Sequence, residues 1–127
     1  MNLFTLFAKK KLSRTVSKRT EELVMVEWKN INTLFSGRSP SQLRQALISA
    51  DKTLDNVLRD LVNGETMGER LKNAEDKFDR YSYDKIWKAH KLRNTLVHES
   101  GFEPPHYVLT EAIEDLRRGV VNLGIRI

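Results

Sequence analysis

Apolar residues recur along most of this chain at intervals of three and four positions, which is the spacing of an amphipathic α-helix. The clearest stripe consists of Leu43, Leu47, Ala50, Leu54, Val57 and Leu61. Ser39-Pro40-Ser41-Gln42 precedes this stripe and combines a capping serine, a proline in the first turn and a glutamine at the capping-box position. Asn63-Gly64 follows the stripe and is a typical helix stop. The pattern therefore predicts a helix between these two signals.

Four other segments show the same helical spacing, and no segment alternates polar and apolar residues over a useful length. The predicted helices cover residues 21–35, 66–78, 83–98 and 105–123. Thr20 is the predicted cap of the first, Thr66 begins the second with a capping box, and residues 79–82 form a predicted turn. Because the connections are short, neighbouring helices should be antiparallel. The expected fold is an all-α, antiparallel four- to five-helix bundle with Trp28 in its core.

The composition is that of one globular domain. The chain has 127 residues, of which 39% are hydrophobic and 31% charged, and this balance supports a hydrophobic core. It contains no cysteine, which excludes disulfides, thiolate catalysis and cysteine-ligated zinc. The lack of cysteine also fits a reducing compartment.

The net charge of +5 is unevenly distributed along the chain. Residues 1–19 contain six basic residues and no acidic residue, which leaves 16 basic and 17 acidic residues in the remainder. The sequence thus divides into a basic, apolar-tipped arm at residues 1–19 and a nearly neutral helical bundle at residues 20–127. This division does not indicate a large basic face for nucleic acid on the bundle, although a local basic cleft remains compatible with it.

The arm begins with Met-Asn-Leu-Phe-Thr-Leu-Phe and continues into the basic run. Seven residues are too few to span a bilayer, which takes about 20, and the order of apolar and basic residues is the reverse of a secretory signal. Three interpretations remain open: a disordered tail, a peripheral contact with anionic membrane lipid, and a basic arm that touches nucleic acid. A further hypothesis is that the recorded start lies inside a longer hydrophobic segment. We expect a cytoplasmic protein whose arm can contact the inner face of the membrane.

The histidines are not spaced for a metal site. His90, His98 and His106 are each eight residues apart, or about 12 Å along a helix, which is too far for a shared metal ion. The chain also has no glycine-rich phosphate loop after a strand and no Gly-x-Ser-x-Gly nucleophile turn. We therefore expect no metal and no cofactor.

The strongest candidate for chemistry is Arg93-Asn94-Thr95-Leu96-Val97-His98, at the end of the predicted fourth helix. Asn94 and His98 share a helix face, and Arg93 lies about 140° around and about 7.5 Å along the helix from His98, a gap that an arginine side chain closes. Arginine holds phosphate in a planar fork, and histidine transfers protons near neutral pH. The competing explanation is that Arg93 and His98 only cap carbonyl groups at the helix end.

This segment resembles the Arg-x4-6-His motif of HEPN domains, in its Arg-Asn-x-x-x-His form. Its context is similar too, because the motif lies on the penultimate helix of a bundle, before a loop and a final helix. Ala50-Asp51-Lys52-Thr53-Leu54-Asp55 looks like the second-helix segment of such domains. Residues 64–71 and 87–101 resemble a group of bacterial HEPN-like proteins, many of which carry an N-terminal membrane anchor. The resemblance covers roughly residues 20–125.

The resemblance implies a metal-independent ribonuclease, a toxin or defence component, that acts as a homodimer with the motifs of two chains in one cleft. His98 would be the general base on a ribose 2′-hydroxyl, Arg93 would stabilise the charged phosphate, and Asn94 would orient His98 or bind phosphate. The implied partners are RNA, a second copy and an antitoxin or other protein. The alternative is a non-catalytic helical dimerisation module, tethered to a membrane or a partner by its arm, because many HEPN domains serve only as interaction modules.

Three aromatic residues, Tyr81, Tyr83 and Trp87, precede the motif along the chain. They can stack on RNA bases, as aromatic side chains do in proteins that bind single strands. Packing in the core and in turns is the more common reason for aromatic residues at such positions.

Overall fold

Five α-helices make up most of the structure, a computed structural model that describes residues 14–127. The helices are α1 (Lys18–Gly37), α2 (Pro40–Leu61), α3 (Met67–Asn73), α4 (Arg80–His98) and α5 (His106–Asn122), with a 3-10 turn at Glu75–Lys77. None of the described residues forms a β-strand. α2 is the central helix, because α1, α3, α4 and α5 all contact it, and α5 also packs on α4. The expected all-α bundle is confirmed.

α2 has the cap that the sequence predicted. The Ser39 hydroxyl accepts a hydrogen bond from the Gln42 backbone N–H, and the Gln42 side chain accepts one from the Ser39 N–H, so the capping box is complete. Pro40 is the first helical residue, where the missing N–H has no helical partner to lose. The buried apolar residues of α2 are Leu43, Ala46, Leu47, Ala50, Leu54, Val57 and Leu58. This face forms the middle of the core.

α1 begins earlier than predicted, because its N-cap is Ser17 rather than Thr20. The Ser17 hydroxyl accepts a hydrogen bond from the Thr20 backbone N–H at 3.1 Å. The Ser17 N–H in turn donates to the Asp60 carboxylate at 3.0 Å, which ties the start of α1 to the end of α2. Two residues assigned to the arm therefore belong to α1. Arg14, also assigned to the arm, donates to Asn63 Oδ1 at 2.6 Å, and residues 1–13, on which the remaining expectations for the arm fall, lie outside the described residues.

α4 also begins earlier than predicted, at Arg80, because the residues expected to form a turn are its N-terminal cap. The Asp79 carboxylate accepts hydrogen bonds from the Ser82 backbone N–H at 2.8 Å and from the Ser82 hydroxyl at 2.9 Å. These bonds satisfy a backbone donor that the first turn of a helix leaves without a partner. The predicted turn at residues 79–82 is thus wrong, and the helix that carries the candidate motif gains three residues at its start.

α3 is short, and an ion pair fixes it to α2. Thr66 is its N-cap as predicted, with the hydroxyl accepting a hydrogen bond from the Glu69 N–H at 3.1 Å. The helix ends at Asn73, five residues before the predicted end. Arg70 is buried and donates to both carboxylate oxygens of Asp55, at 2.7 and 3.0 Å. This bidentate pair places the start of α3 against α2, where it forms one wall of the groove described below.

Trp28 lies in the core as predicted, with 1% of its surface exposed. Its indole N–H donates to the Thr53 hydroxyl of α2 at 2.9 Å, and that hydroxyl donates to the Ala50 carbonyl at 2.7 Å. The polar atoms of this buried contact between α1 and α2 are thus satisfied, as buried polar groups require. α5 occupies nearly the predicted span and covers the other side of α2.

Candidate functional site

A groove lies between α2, the start of α3 and the second half of α4, and we call it the arginine groove. Its volume is about 800 Å³. The groove is lined by Ile48, Asp51, Lys52, Asp55 and Arg59 of α2, by Thr66, Met67 and Gly68, and by Trp87, His90, Lys91, Arg93 and Asn94 of α4. Two of the three residues predicted for catalysis, Arg93 and Asn94, therefore lie together in one groove.

The Arg93 guanidinium is held at this groove by its neighbour on α4 and by α2. Its Nη1 donates to Asn94 Oδ1 at 3.1 Å, and its Nε lies 3.6 Å from Asp51 Oδ2. The second distance is too long for a hydrogen bond, so the buried Nε has no hydrogen-bond partner among the described residues. The side chain as a whole is 31% exposed. Because a guanidinium carries five donors, Arg93 retains N–H groups for an anion in the groove.

A buried carboxylate–imidazole pair lies behind Arg93. His90 Nδ1 is 3.1 Å from each carboxylate oxygen of Asp51, and the two side chains are 9% and 4% exposed. Burial raises the pKa of Asp51, while its hydrogen bond with His90 and its electrostatic interactions with His90 and Arg93 oppose the rise. The pairing also supplies the partner that a buried ionisable group requires.

Hydrogen bonds connect this pair to Arg93 through Asn94. In the neutral His90 ring with its proton on Nδ1 toward Asp51, Nε2 is the acceptor, and Asn94 Nδ2 lies 3.5 Å from it. With its amide nitrogen toward His90, Asn94 presents its oxygen to Arg93. Donors therefore run in one direction, from Arg93 through Asn94 and His90 to Asp51. This network assigns the tautomer of His90 and the amide orientation of Asn94, and it restrains the guanidinium.

His98 does not join this network. It is the exposed last residue of α4 and does not line the arginine groove. We expected Arg93, Asn94 and His98 to converge at the helix end. The structure brings together Arg93 and Asn94, and the imidazole beside them is that of His90, four residues before Asn94. Among the described residues, neither the Arg93 side chain nor the His98 side chain donates a hydrogen bond to a helix carbonyl.

Asp51 and His90 are the two site residues that the sequence analysis missed, and each interrupts an apolar helix face. Asp51 lies between Leu47 and Leu54 on the buried stripe of α2, and His90 lies four residues after the buried Ile86 of α4. A polar side chain at a buried position requires a polar partner. A polar residue on an apolar helix face was therefore the feature of the sequence that could have predicted the contact between Asp51 and His90.

Trp87 is the one of the three nearby aromatic residues that borders the arginine groove. Its half-buried ring is edge-on to the rings of Tyr83 and His90, with centroids 6.4 and 6.0 Å away. Tyr83 is buried and its hydroxyl donates to a backbone carbonyl of α3, so its role is in packing. Tyr81 is exposed and lines neither the groove nor the core.

Within residues 14–127, no three histidine, aspartate or glutamate side chains are close enough together to hold a metal ion. In the same part of the chain, no helix has the length and apolar character needed to cross a bilayer. Comparison of the chain with models of known families, with curated proteins and with solved structures found no match. The function is therefore inferred from the arginine groove itself.

Proposed function

We propose that this chain cleaves RNA by a metal-independent transesterification, in which Arg93 binds the scissile phosphate. The observation that carries the proposal is the Arg93 guanidinium, which Asn94 and Asp51 hold in an open groove while N–H donors remain available. Arginine suits phosphate because its planar fork donates two parallel hydrogen bonds. The resemblance of the Arg93-Asn94-x-x-x-His98 segment to the HEPN motif supports the same assignment.

The proposed reaction uses the ribose of RNA as its own nucleophile. His98 takes the proton from the 2′-hydroxyl, and the 2′-oxygen attacks the adjacent phosphorus. The P–O2′ bond forms as the P–O5′ bond breaks, and the leaving 5′-oxygen takes a proton from water. Arg93 stabilises the negative charge that builds on the non-bridging oxygens, while Asn94 keeps the guanidinium in place. The products are a 2′,3′-cyclic phosphate and a 5′-hydroxyl.

The position of His98 makes a second copy part of this proposal. His98 is exposed at the end of α4, outside the arginine groove of its own chain. In a homodimer, His98 of one copy reaches the groove of the other, so that each site combines Arg93 of one chain with His98 of the second. Asp51 and His90 then act through Asn94 as positioning residues for Arg93.

Cleavage of single-stranded RNA in the presence of EDTA tests the proposed activity. We expect fragments that end in a 2′,3′-cyclic phosphate, and we expect Arg93→Ala and His98→Ala to reduce the rate at least about 100-fold. The matched controls, Arg126→Ala and His106→Ala, remove exposed side chains that do not line the groove and should cleave at the wild-type rate. Cleavage that survives His98→Ala would contradict the assigned base. A folded wild type that cleaves no RNA would contradict the activity.

Mixing two inactive variants tests the shared site. A heterodimer of Arg93→Ala with His98→Ala retains one intact site only when the two residues act across the interface. We therefore expect the mixture to recover activity that neither variant has alone. A mixture that exchanges subunits but remains inactive would place both residues in a site of one chain and would contradict the two-copy arrangement.

A non-catalytic dimerisation module is the second candidate, and the separation of His98 from the arginine groove is the observation that favours it. Under this candidate, wild type and His98→Ala form the same dimer in light scattering, and neither cleaves RNA. Growth arrest by the expressed wild type, relieved by His98→Ala, would instead support the ribonuclease and a role in toxicity or defence.

A further inference from the structure

A second groove lies beside the arginine groove along α4, and we call it the lysine groove. Its volume is about 810 Å³. It is lined by Lys72, Glu75, Tyr83, Asp84, Trp87, Lys88 and Lys91. Trp87 and Lys91 line both grooves, so the two grooves meet at these side chains. Together they form one continuous surface from Arg93 to Lys72 at the end of α3.

The acidic residues on this surface already have cationic partners. In the lysine groove, Glu75 and Asp84 both contact Arg80, each at 3.5 Å. In the arginine groove, Asp51 faces His90 and Arg93, and the Asp55 carboxylate accepts the two hydrogen bonds from α3 described above. Each of these acidic residues thus has a cationic partner, although Glu75 and Asp84 share the single charge of Arg80.

The lysines of the same surface do not have carboxylate partners of this kind. They are Lys52, Lys72, Lys88 and Lys91, and all four are exposed. Among the described residues, no carboxylate lies within ion-pair distance of any of them, whereas the neighbouring Lys85 contacts Glu111 at 3.1 Å. The bundle is close to neutral overall, and these two grooves concentrate lysines that form no ion pair among the described residues; the charge of Lys88 also helps to lower the pKa of Glu111.

Trp87 lies in the middle of this row of cations. Its ring makes T-shaped contacts with the rings of Tyr83 and His90, and Lys91 Nζ lies 5.8 Å from the ring centroid. The ring remains partly exposed where the two grooves meet. Cations that follow a backbone, together with an aromatic ring on which a base stacks, are the features that bind single-stranded nucleic acid.

We propose that the substrate is single-stranded RNA and that the strand follows this surface from the arginine groove into the lysine groove. The cleaved phosphate lies at Arg93, one base stacks on Trp87, and the next phosphates contact Lys91, Lys88 and Lys72. This path rests on the proposed function, because it begins with a phosphate at Arg93. Trp87 and Lys91 line both grooves, so a strand that crosses these two side chains passes from Arg93 to Lys88.

A single strand suits the surface better than the other polyanions that lysines attract. The bases of duplex RNA are stacked on one another and are not available to Trp87, so a duplex would use only the cations. An acidic polypeptide would also use only the cations, because its charged side chains carry no planar ring. Binding that depends on both the lysines and Trp87 therefore distinguishes the single strand.

The test uses the full chain and a single-stranded oligoribonucleotide with a 2′-O-methyl group at every position, which cannot be cleaved. Affinity is measured by fluorescence anisotropy at several salt concentrations. For the double variant Lys72→Ala/Lys88→Ala we expect weaker binding and a slope of log affinity against log salt that is smaller by about 1.4, because each phosphate contact contributes about 0.7. The control Lys29→Ala/Arg126→Ala removes two exposed cations that line neither groove and should keep the wild-type slope.

Trp87→Leu tests the stacked base, with thermal unfolding as the check on its fold. We expect at least about fivefold weaker binding with an unchanged salt slope, because no charge is removed. Wild-type affinity and slope in the lysine double variant would overturn the path, and so would equal competition by duplex RNA or by polyglutamate. Lysine-dependent binding of the methylated strand without cleavage of unmodified RNA would contradict the proposed activity alone. Cleavage of unmodified RNA without lysine-dependent binding would contradict the path alone.

Discussion

His90 of α4 and Asp51 of α2 are 39 residues apart in the chain and form a buried pair, with His90 Nδ1 at 3.1 Å from each carboxylate oxygen. The pair joins two helices directly beneath the arginine groove. The other ring nitrogen, Nε2, lies 3.5 Å from Asn94 Nδ2, and Asn94 Oδ1 accepts a hydrogen bond from Arg93. A contact in the interior therefore determines how a half-exposed guanidinium is presented at the surface.

Asp51→Asn should impair the positioning of Arg93 more than it impairs the fold. The substitution keeps the shape of the side chain and removes the charge that faces Arg93 and His90. Burial raises the pKa of Asp51, so losing the charge relieves a desolvation cost while it breaks the ion pair, and the free energy of unfolding should change by less than about 2 kcal/mol. The proposed RNA cleavage should fall about 10- to 100-fold, by analogy with the loss of an outer partner of a metal ligand. Urea unfolding and the EDTA cleavage assay measure the two effects.

Asp55→Asn is the matched comparison, because Asp55 lies one turn further along α2 and bonds to Arg70 instead of Arg93. Losing two charge-assisted hydrogen bonds should lower the free energy of unfolding by about 1.5–3 kcal/mol, a larger loss than for Asp51→Asn. Asp55→Asn should reduce the rate of cleavage less than Asp51→Asn does. If both variants lost stability equally and neither changed cleavage, the network would have no positioning role.

Helix boundaries could be predicted where the cap is formed by residues close together in sequence. Both bonds of the Ser39–Gln42 capping box join residues three positions apart, so the sequence contains the whole motif. The predicted start of α4 was wrong because the sequence around Asp79 fits two structures. An aspartate that accepts a hydrogen bond from the N–H three positions later is found in turns as well as in helix caps. The choice between these depends on the packing of the residues that follow Asp79, which local spacing does not report.

The candidate site could be predicted only where its residues share one helix. Arg93 and Asn94 are adjacent, so the sequence places both at the same end of α4, whereas the Asp51–His90 pair depends on how α2 packs on α4. Arg93 and His98 are only about 7.5 Å apart along the helix axis, but they are about 140° apart around it. This rotation points the two side chains in different directions, so the expected contact does not follow from the axial distance. In the structure Arg93 turns toward α2, and His98 remains outside the groove.

Arg70→Lys should be clearly destabilising, although it preserves the charge. Arg70 is buried, donates to both oxygens of Asp55 and also donates to the Gly64 carbonyl at 2.7 Å. A lysine cannot reproduce this fork, so the free energy of unfolding should fall by about 1.5–3 kcal/mol in urea titrations. Arg80→Lys is the control: Arg80 is 78% exposed and its two ion pairs are at 3.5 Å, so the change should cost less than about 1 kcal/mol. Equal losses in the two variants would mean that the Arg70 fork contributes nothing beyond its charge.

The cap of α4 should make stability depend on pH. Hydrogen bonds from the Ser82 backbone N–H and hydroxyl lower the pKa of Asp79 below its ordinary value of 3.8. Since the folded pKa is the lower one, the carboxylate stabilises the fold above that ordinary value, and this contribution is lost as pH falls through the folded pKa. Asp79→Asn keeps a good capping residue but removes the charge, so its midpoint of thermal unfolding should fall less than that of wild type on acidification.

A neutral cap supplies the control for this pH dependence. Ser39→Ala removes the cap of α2 and should lower the free energy of unfolding by about 1 kcal/mol. This loss should be the same at neutral and acidic pH, because a serine hydroxyl does not titrate in this range. Asp79→Ala should instead be destabilising at neutral pH and approach wild type in acid. A constant difference between Asp79→Ala and wild type from pH 7 to pH 2 would show that the charge of Asp79 does not contribute.

Two glycines in helices should respond to alanine in opposite directions. A methyl group at Gly119 of α5 would lie 2.9 Å from Ile86 Cδ1, 3.2 Å from Ile86 Cγ1 and 3.6 Å from Leu54 Cδ1, in the middle of the core. Overpacking of about 1–3 kcal/mol should outweigh the gain of about 1 kcal/mol in helix propensity, so Gly119→Ala should lower the free energy of unfolding. At Gly68, the same methyl would make an ordinary contact with Trp87 at 3.6 Å, and Gly68→Ala should raise the free energy of unfolding by about 0.4–1 kcal/mol. Urea titrations measure both changes, and a stabilised Gly119→Ala would mean that Ile86 moves aside without cost and that the close approach of α5 to α4 does not require glycine.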